Sequence, residues 1–306
     1  MIISVASGKG GTGKTTIAVN LALALAKDKE KNVQFLDCDV EEPNAHLFLE
    51  PVITNSESVE IPVSKINDKK CNYCGKCAEV CVFNAIAVTK NKVLVFPGLC
   101  HGCGACTLFC PEKAITEEGN EIGILEEGKV GPISFTHGRL NIGEPMAPPI
   151  IRKIKKKIKR DYNDNRDRDI TNNHITLIDA PPGTSCPVIE SVKESDYTIL
   201  VTEPTPFGLH DLILAVEVLR KLKIPHGVVL NKCDIGDHKV EEYCKKNSIP
   251  ILLSIPLDKE IAVAYSKGIP IVKINSSYEQ KFNQLFQKNY PKDLIFVIIR
   301  IEVFFK

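Results

Sequence analysis

Short apolar runs alternate with stretches of helical periodicity along this chain. Residues 2–6 (IISVA) form a continuous apolar run of strand length, and residues 17–26 (IAVNLALALA) read as a helix. Strand-length apolar runs recur within residues 32–37, 175–178, 197–202, 226–230 and 251–257. Helical patterns fall at about 209–222 and 276–288, and apolar spacing at Ile151, Ile154 and Ile158 marks an amphipathic helix with a basic outer face over 152–160. Uninterrupted apolar strands separated by helices predict an α/β fold, a mostly parallel sheet covered by helices on both faces. Three stretches break the rhythm. Residues 61–119 are rich in Cys and Gly, 161–173 are polar, and 293–306 form an apolar, β-branched tail that reads as an extra strand or a dimer contact.

Composition narrows the class. A chain of 306 residues suffices for a large α/β domain with a small one, and a net charge of +1 gives no overall argument for nucleic acid or a membrane surface. Seven basic residues within 152–160 could meet nucleic acid or an acidic redox partner, although a solvated helix face is the simpler reading. No apolar stretch reaches the ~18 residues of a membrane span. The first residues run straight into a core strand without the signature of a secretory leader, so the expected location is cytoplasmic. There, twelve cysteines read as metal or redox ligands rather than disulfides.

The first strand and helix flank Gly8-Lys9-Gly10-Gly11-Thr12-Gly13-Lys14-Thr15-Thr16, which fits the phosphate-binding loop G-x-x-x-x-G-K-[ST]. Its glycines let backbone N–H groups turn toward an anion, and the helix N-terminus adds free N–H groups and a positive dipole end. Lys14 is the expected β/γ-phosphate contact and Thr15 the expected Mg²⁺ ligand.

The second lysine of this loop, Lys9, makes the sequence resemble the deviant Walker A loop of the MinD/ParA ATPases (SIMIBI type), a family that also includes nitrogenase iron protein and the Mrp-type cluster carriers. The resemblance implies an ATP-dependent sandwich homodimer, or a heterodimer with a paralogue, in which Lys9 supplies charge to the partner's phosphates. By the same resemblance, Asp37-Cys38-Asp39 and Pro43-Asn44 form switch I, with Asp39 orienting the attacking water and Asp37 behind Mg²⁺. Asp179-Ala180-Pro181-Pro182-Gly183 matches Walker B and switch II, with Asp179 holding Mg²⁺ through water and the Gly183 N–H sensing the γ-phosphate. The run Asn231-Lys232-Cys233-Asp234 fits N-K-x-D, and the resemblance implies that Asn231 contacts adenine, with guanine as the alternative, and that the loop at Pro256 borders the base.

The cysteines carry the second chemistry. Cys71, Cys74, Cys77 and Cys81 recur as Cys100, Cys103, Cys106 and Cys110, each offset by 29 residues, and the repeat extends to Asn84-Ala85-Ile86 and Lys113-Ala114-Ile115. This is the spacing of two-cluster bacterial ferredoxins, in which the fourth Cys of each run ligates the other cluster. It assigns Cys71, Cys74, Cys77 and Cys110 to one [4Fe–4S] cluster and Cys100, Cys103, Cys106 and Cys81 to the other. Val82 stands where a proline usually follows, whereas Pro111 is present. Zinc is the alternative occupant. His101 reads as a solvent-facing neighbour of the ligands. Cys186 sits where nitrogenase iron protein carries a bridging ligand, but with no second Cys to join it, it reads first as a switch-loop thiol. Cys38, Cys233 and Cys244 read as ordinary thiols.

Together these readings give an ATPase domain in two parts, 1–60 and 120–290, an inserted α+β ferredoxin-like domain at 61–119, and the tail 291–306. The expected cofactors are ATP, Mg²⁺ and two [4Fe–4S] clusters. Three functions compete: ATP-gated electron transfer to a partner metalloenzyme, cluster or metal delivery to an acceptor, and redox-sensing regulation or positioning.

Overall fold

The computed structural model describes residues 1–158 and 173–288. The first elements are β1 (Ile2–Ser7), α1 (Lys14–Leu25), β2 (Asn32–Asp37) and α2 (His46–Leu49). A long strand, β3 (Val52–Ile66), leads to α3 (Lys76–Glu79), β4 (Ile86–Val88), β5 (Val93–Val95) and α4 (Ala105–Leu108), and β6 (Ile115–Val130) leads back. The chain continues through β7 (Ile133–Leu140), α5 (Pro148–Lys155), β8 (His174–Pro182), α6 (Cys186–Val192), β9 (Tyr197–Thr202), α7 (Pro206–Lys221) and β10 (His226–Asn231). It closes with α8 (Lys239–Lys246), β11 (Ile251–Ile255), α9 (Lys259–Ser266), α10 (Ile271–Ile274) and α11 (Ser276–Lys288).

Among the described residues, nine strands form one sheet in the order β11-β10-β9-β1-β8-β2-β7-β6-β3. The seven from β11 to β7 run parallel, as their unbroken apolar runs predict. One face of the sheet packs on α1 and α11 through Ile17, Leu21, Leu25 and Phe282, all at most 1% exposed. The other packs on α6, α7 and α8 through Val188, Leu212, Val216 and Val240.

The antiparallel edge departs from the simple pattern. β3 and β6 pair from Val52 with Lys129 to Ile66 with Ile115, and β7 pairs only with residues 123–130 of β6. The remaining eight residues of β6 therefore run past the end of β7 as a two-stranded arm, about 27 Å long at a strand's rise of ~3.4 Å per residue. Because β7 is parallel to β2, the arm projects beyond the sheet edge at which β2 ends in Asp37. Residues 67–114, with all eight repeat cysteines, sit at its tip. The boundaries expected at 60/61 and 119/120 fall inside β3 and β6. Ile150, Ile151 and Ile154 of α5 cover the arm's base, packing with Val59, Ile61, Val63, Ile122 and Leu125.

The basic stretch combines a solvated face, with Arg152 and Lys156 exposed, and cations paired to nearby acids. The helix ends at Lys155. Lys153 and Lys157 reach Glu57 at 3.2 and 3.0 Å, Lys157 reaches Glu127 at 2.8 Å, and Arg152 reaches Glu190 at 3.6 Å. Lys159 and Arg160, residues 161–172 and the tail from 291 onward lie outside the described residues. Among the described residues, no helix is long and apolar enough to cross a membrane.

Candidate nucleotide site and cysteine sites

The P-loop leaves β1 and enters α1 at Gly13, whose φ of 91° lies in the left-handed region. A Cβ at Gly13 would stand 2.6 Å from Asn231 Nδ2, so glycine is required there by conformation and space together. Gly10 and Gly11 have open space around them. The helix start has neither a capping side chain nor an acid in its first turn, which leaves its N–H groups and dipole for an anion. Gly8 lies against the Asp211 backbone of α7, where a Cβ would meet the carbonyl oxygen at 2.2 Å.

Three acids converge on the buried Lys14. Its Nζ donates to Asp179 Oδ1 at 2.9 Å and to Asp39 Oδ2 at 3.4 Å. Burial works to lower the Lys14 pKa, but Asp179, Asp39 and Asp37 hold it above 10.5. Asp37 and Asp179 are level on adjacent strands, and both are fully buried. Burial first, then the charge of Asp179, pushes Asp37 up to about 8, and burial pushes Asp39 up to about 6 against the pull of Lys14. Asp37 also shapes switch I, since its Oδ1 accepts from the Asp39 N–H and its Oδ2 from the Ala45 N–H, both at 3.1 Å. Asp179 Oδ2 is buried without a hydrogen-bond partner. Two adjacent buried carboxylates, one with an orphan oxygen, beside the buried Thr15 of the P-loop fit a hard divalent cation, which prefers oxygen ligands. Asp37, Asp179 and Thr15 are the residues that would hold Mg²⁺ or its waters.

The flanking residues are more committed than their motifs suggest. Pro181 and Pro182 close β8, and the Gly183 N–H donates to the Ser7 carbonyl at 2.9 Å. Asn231 Nδ2 donates to the Thr12 carbonyl at 2.9 Å, and its Oδ1 accepts from the Lys232 N–H, so this side chain braces the P-loop. Asp234 Oδ1 accepts from the Leu257 N–H at 2.6 Å, beside the exposed Pro256. Sequence reasoning missed Glu203, at the end of β9. Its carboxylate takes a hydrogen bond from Lys232 Nζ at 2.6 Å and stands 3.9 Å from Lys9 Nζ. The signal available was an acid after a buried strand on the P-loop edge, Thr202-Glu203-Pro204.

At the arm's tip the eight repeat cysteines divide between two pockets. Cys71, Cys74, Cys77 and Cys110 line one of about 340 Å³ (site 1), and Cys81, Cys100, Cys103 and Cys106 line another of about 370 Å³ (site 2). Each pocket thus draws three thiols from one repeat and the fourth from the other. Among the described residues, no three Cys, His, Asp or Glu side chains are close enough to hold a single metal ion. The backbone is arranged for sulfur anions. The Ala85 N–H donates to Cys81 Sγ and the Ala114 N–H to Cys110 Sγ, both at 3.3 Å, and the Tyr73 N–H donates to Cys71 Sγ at 3.4 Å. Gly75 and Gly104, at φ 80° and 71°, turn the chain into α3 and α4 at equivalent points of the repeat. The exposed His101 ring stacks on Phe83, with centroids 3.6 Å apart. Burial raises the thiols of Cys38, Cys233 and Cys244, the last to about 11, in keeping with ordinary protonated thiols. Cys186 is exposed at the start of α6, directly after switch II.

A strand–glycine loop–helix unit closing on a buried lysine, with acids at the ends of the neighbouring parallel strands, defines a P-loop nucleotide hydrolase. The chain matches the family model for the CobQ/CobB/MinD/ParA nucleotide binding domain over residues 3–271; it belongs to that family and is an ATPase of the MinD/ParA type. An uncharacterized protein of Methanocaldococcus jannaschii is 33% identical over 90% of this chain and 93% of its own length. The iron-sulfur cluster carrier protein of Pyrococcus horikoshii is 28% identical over 94% of this chain and 84% of its own length. Among solved structures, the septum site-determining protein MinD of Pyrococcus horikoshii, complexed with Mg-ADP, superimposes with a TM-score of 0.55 over 93% of each chain at 21% identity. That likeness bears on the fold.

Proposed function

We propose that this ATPase carries two [4Fe–4S] clusters on its projecting arm and couples the nucleotide state of a dimer to one-electron transfer toward a partner metalloprotein. The observation that carries the reading is the division of the eight cysteines into two pockets, each completed by the fourth cysteine of the other repeat. Four thiols per pocket, shared between two repeats in the ferredoxin register, suit a polynuclear cluster better than zinc. The N–H···S bonds fit thiolate ligands and added negative charge.

In the nucleotide half, Lys14 would neutralise β/γ-phosphate charge and Asp39 would orient water for in-line attack. Lys9, a third exposed, would leave Glu203 for the phosphates of a second copy, a homodimer or a paralogue. Adenine is favoured over guanine because Asp234, the residue that would read guanine, already bonds Leu257. The arm rises from the sheet edge that holds the P-loop, so a second copy closing over that edge meets the cysteine sites. A second reading, delivery of a cluster to an acceptor protein, is favoured by the relative named as an iron-sulfur cluster carrier and by the exposed Cys74 and Cys103, one at each site.

Anaerobic EPR redox titration with and without Mg-ATP tests the reading. A shift of either couple by about 30 mV, roughly 0.7 kcal/mol for one electron, supports gated electron transfer. Unchanged potentials, with cluster lost to an apo-acceptor only in the presence of Mg-ATP, would establish delivery instead.

A further inference from the structure

The two cysteine sites are built from near-identical repeats, but strand β3 touches them unequally. Ser64 is 8% exposed, and its hydroxyl lies 2.8 Å from Cys106 Sγ at site 2. Cys77 is the counterpart of Cys106 in the first repeat. Among the described residues, no side-chain hydroxyl is hydrogen-bonded to its sulfur as Ser64 is to that of Cys106. Ser64 therefore belongs to neither repeat and breaks their symmetry from outside. It sits on the arm between Val63, packed into the core beneath α5, and Lys65, whose Nζ donates to Glu118 Oε1 across the arm at 2.5 Å.

We propose that Ser64 is a positioning residue that raises the reduction potential of site 2 and leaves site 1 untouched. This rests on the two-cluster reading above. A cysteine bound to iron is a thiolate and can only accept, so the hydroxyl must be the donor. Adding one electron from an external low-potential donor makes the site more negative. A hydrogen bond to its sulfur is then worth more in the reduced form than in the oxidised form, and hydrogen bonds to sulfur are among the controls on potential. Burial of the pair magnifies the difference, because water competes poorly for either group. Glu117 also lines site 2, but it is exposed and engaged by Thr107 Oγ1 at 2.9 Å, so solvent screens its opposing charge. Strand β3 lines both sites, through Ile66 at site 1 and through Pro62 and Ser64 at site 2, but among the described residues it places a hydroxyl on a ligand sulfur at site 2 alone.

The test uses the full chain, reconstituted anaerobically with iron and sulfide, in wild-type, Ser64→Ala and Ser64→Thr forms. Cys100→Ala/Cys103→Ala, which removes site 2, assigns the two EPR couples. The expected result is a loss of about tenfold in the reduction equilibrium of site 2 in Ser64→Ala, which is about 59 mV for one electron. Site 1 stays unmoved, and Ser64→Thr, which keeps the hydroxyl, stays near wild type. Equal shifts at both sites, no shift at either, or loss of half the iron in Ser64→Ala would overturn the assignment. A wild-type protein that takes up no iron-sulfur cluster would sink the underlying reading instead.

Discussion

Lys14 carries the balance of charge in the nucleotide site, and its three acids divide the work. With Lys14 removed, Asp37, Asp39 and Asp179 face one another without a counter-charge, and on the proposed reading the β/γ-phosphates lose their main cation. Lys14→Ala is therefore expected to abolish ATP binding within the range of a fluorescent-nucleotide titration. Asp39→Ala leaves Lys14 paired to Asp179, so binding should persist while turnover falls by about 10²-fold or more, the usual worth of a positioned base. Equal loss of binding in both variants would contradict this division. Lys14, Asp39 and Asp179 were legible in the sequence because each follows a glycine loop or a buried strand at a fixed position. Glu203 was not, since a lone acid at a strand end has no motif and its role depends on Lys9 and Lys232, which are distant in sequence. Asn231 was singled out in the sequence as a base contact, whereas its bond to the P-loop carbonyl required coordinates.

At the scale of elements, the sequence disclosed the parallel strands but not the arm. Residues 52–60 (VITNSESVE) mix charge and turn formers, so they show no strand signature, and they are strands because β6 pairs with them throughout. The glycines under α5 were equally opaque. A Cβ at Gly138 would meet Ile150 Cγ2 at 2.4 Å and Ile154 Cδ1 at 3.0 Å, so β7 approaches the helix only as glycine. Gly138→Ala is expected to cost about 1–3 kcal/mol in urea denaturation, the usual penalty for overpacking. Near-wild-type stability would mean that α5 lifts freely from the sheet. Switch I leads into a histidine pair, His46 of α2 and His137 of β7, with ring centroids 5.4 Å apart. Burial, then His137 and Arg139, holds His46 below the usual 6.5. The unfolded chain therefore binds more protons just under pH 6.5, and the contribution of His46 is complete above that value and lost as pH falls through its lower folded value. Denaturation midpoints at pH 7.5 and 5.5 should differ less in His46→Gln than in wild type, and an unchanged difference would remove His46 as a source.

The whole molecule is a MinD/ParA-type ATPase with its cysteine sites cantilevered past the sheet edge at which the P-loop lies. The family was readable from the P-loop, the two switch motifs and the repeated cysteines. What no sequence pattern contained was the direction of the arm, which follows from the antiparallel register of β6 on β7. The crossing of cysteines between repeats is the central claim, and counting iron in two double variants tests it most directly. If each site takes its fourth ligand from the other repeat, Cys71→Ala/Cys110→Ala should lose one site and keep about half of the wild-type iron, whereas Cys71→Ala/Cys81→Ala should lose both. The opposite pattern, with iron kept in Cys71→Ala/Cys81→Ala and lost in Cys71→Ala/Cys110→Ala, would mean that each repeat closes on itself, and the account of two crossed cluster sites would fall.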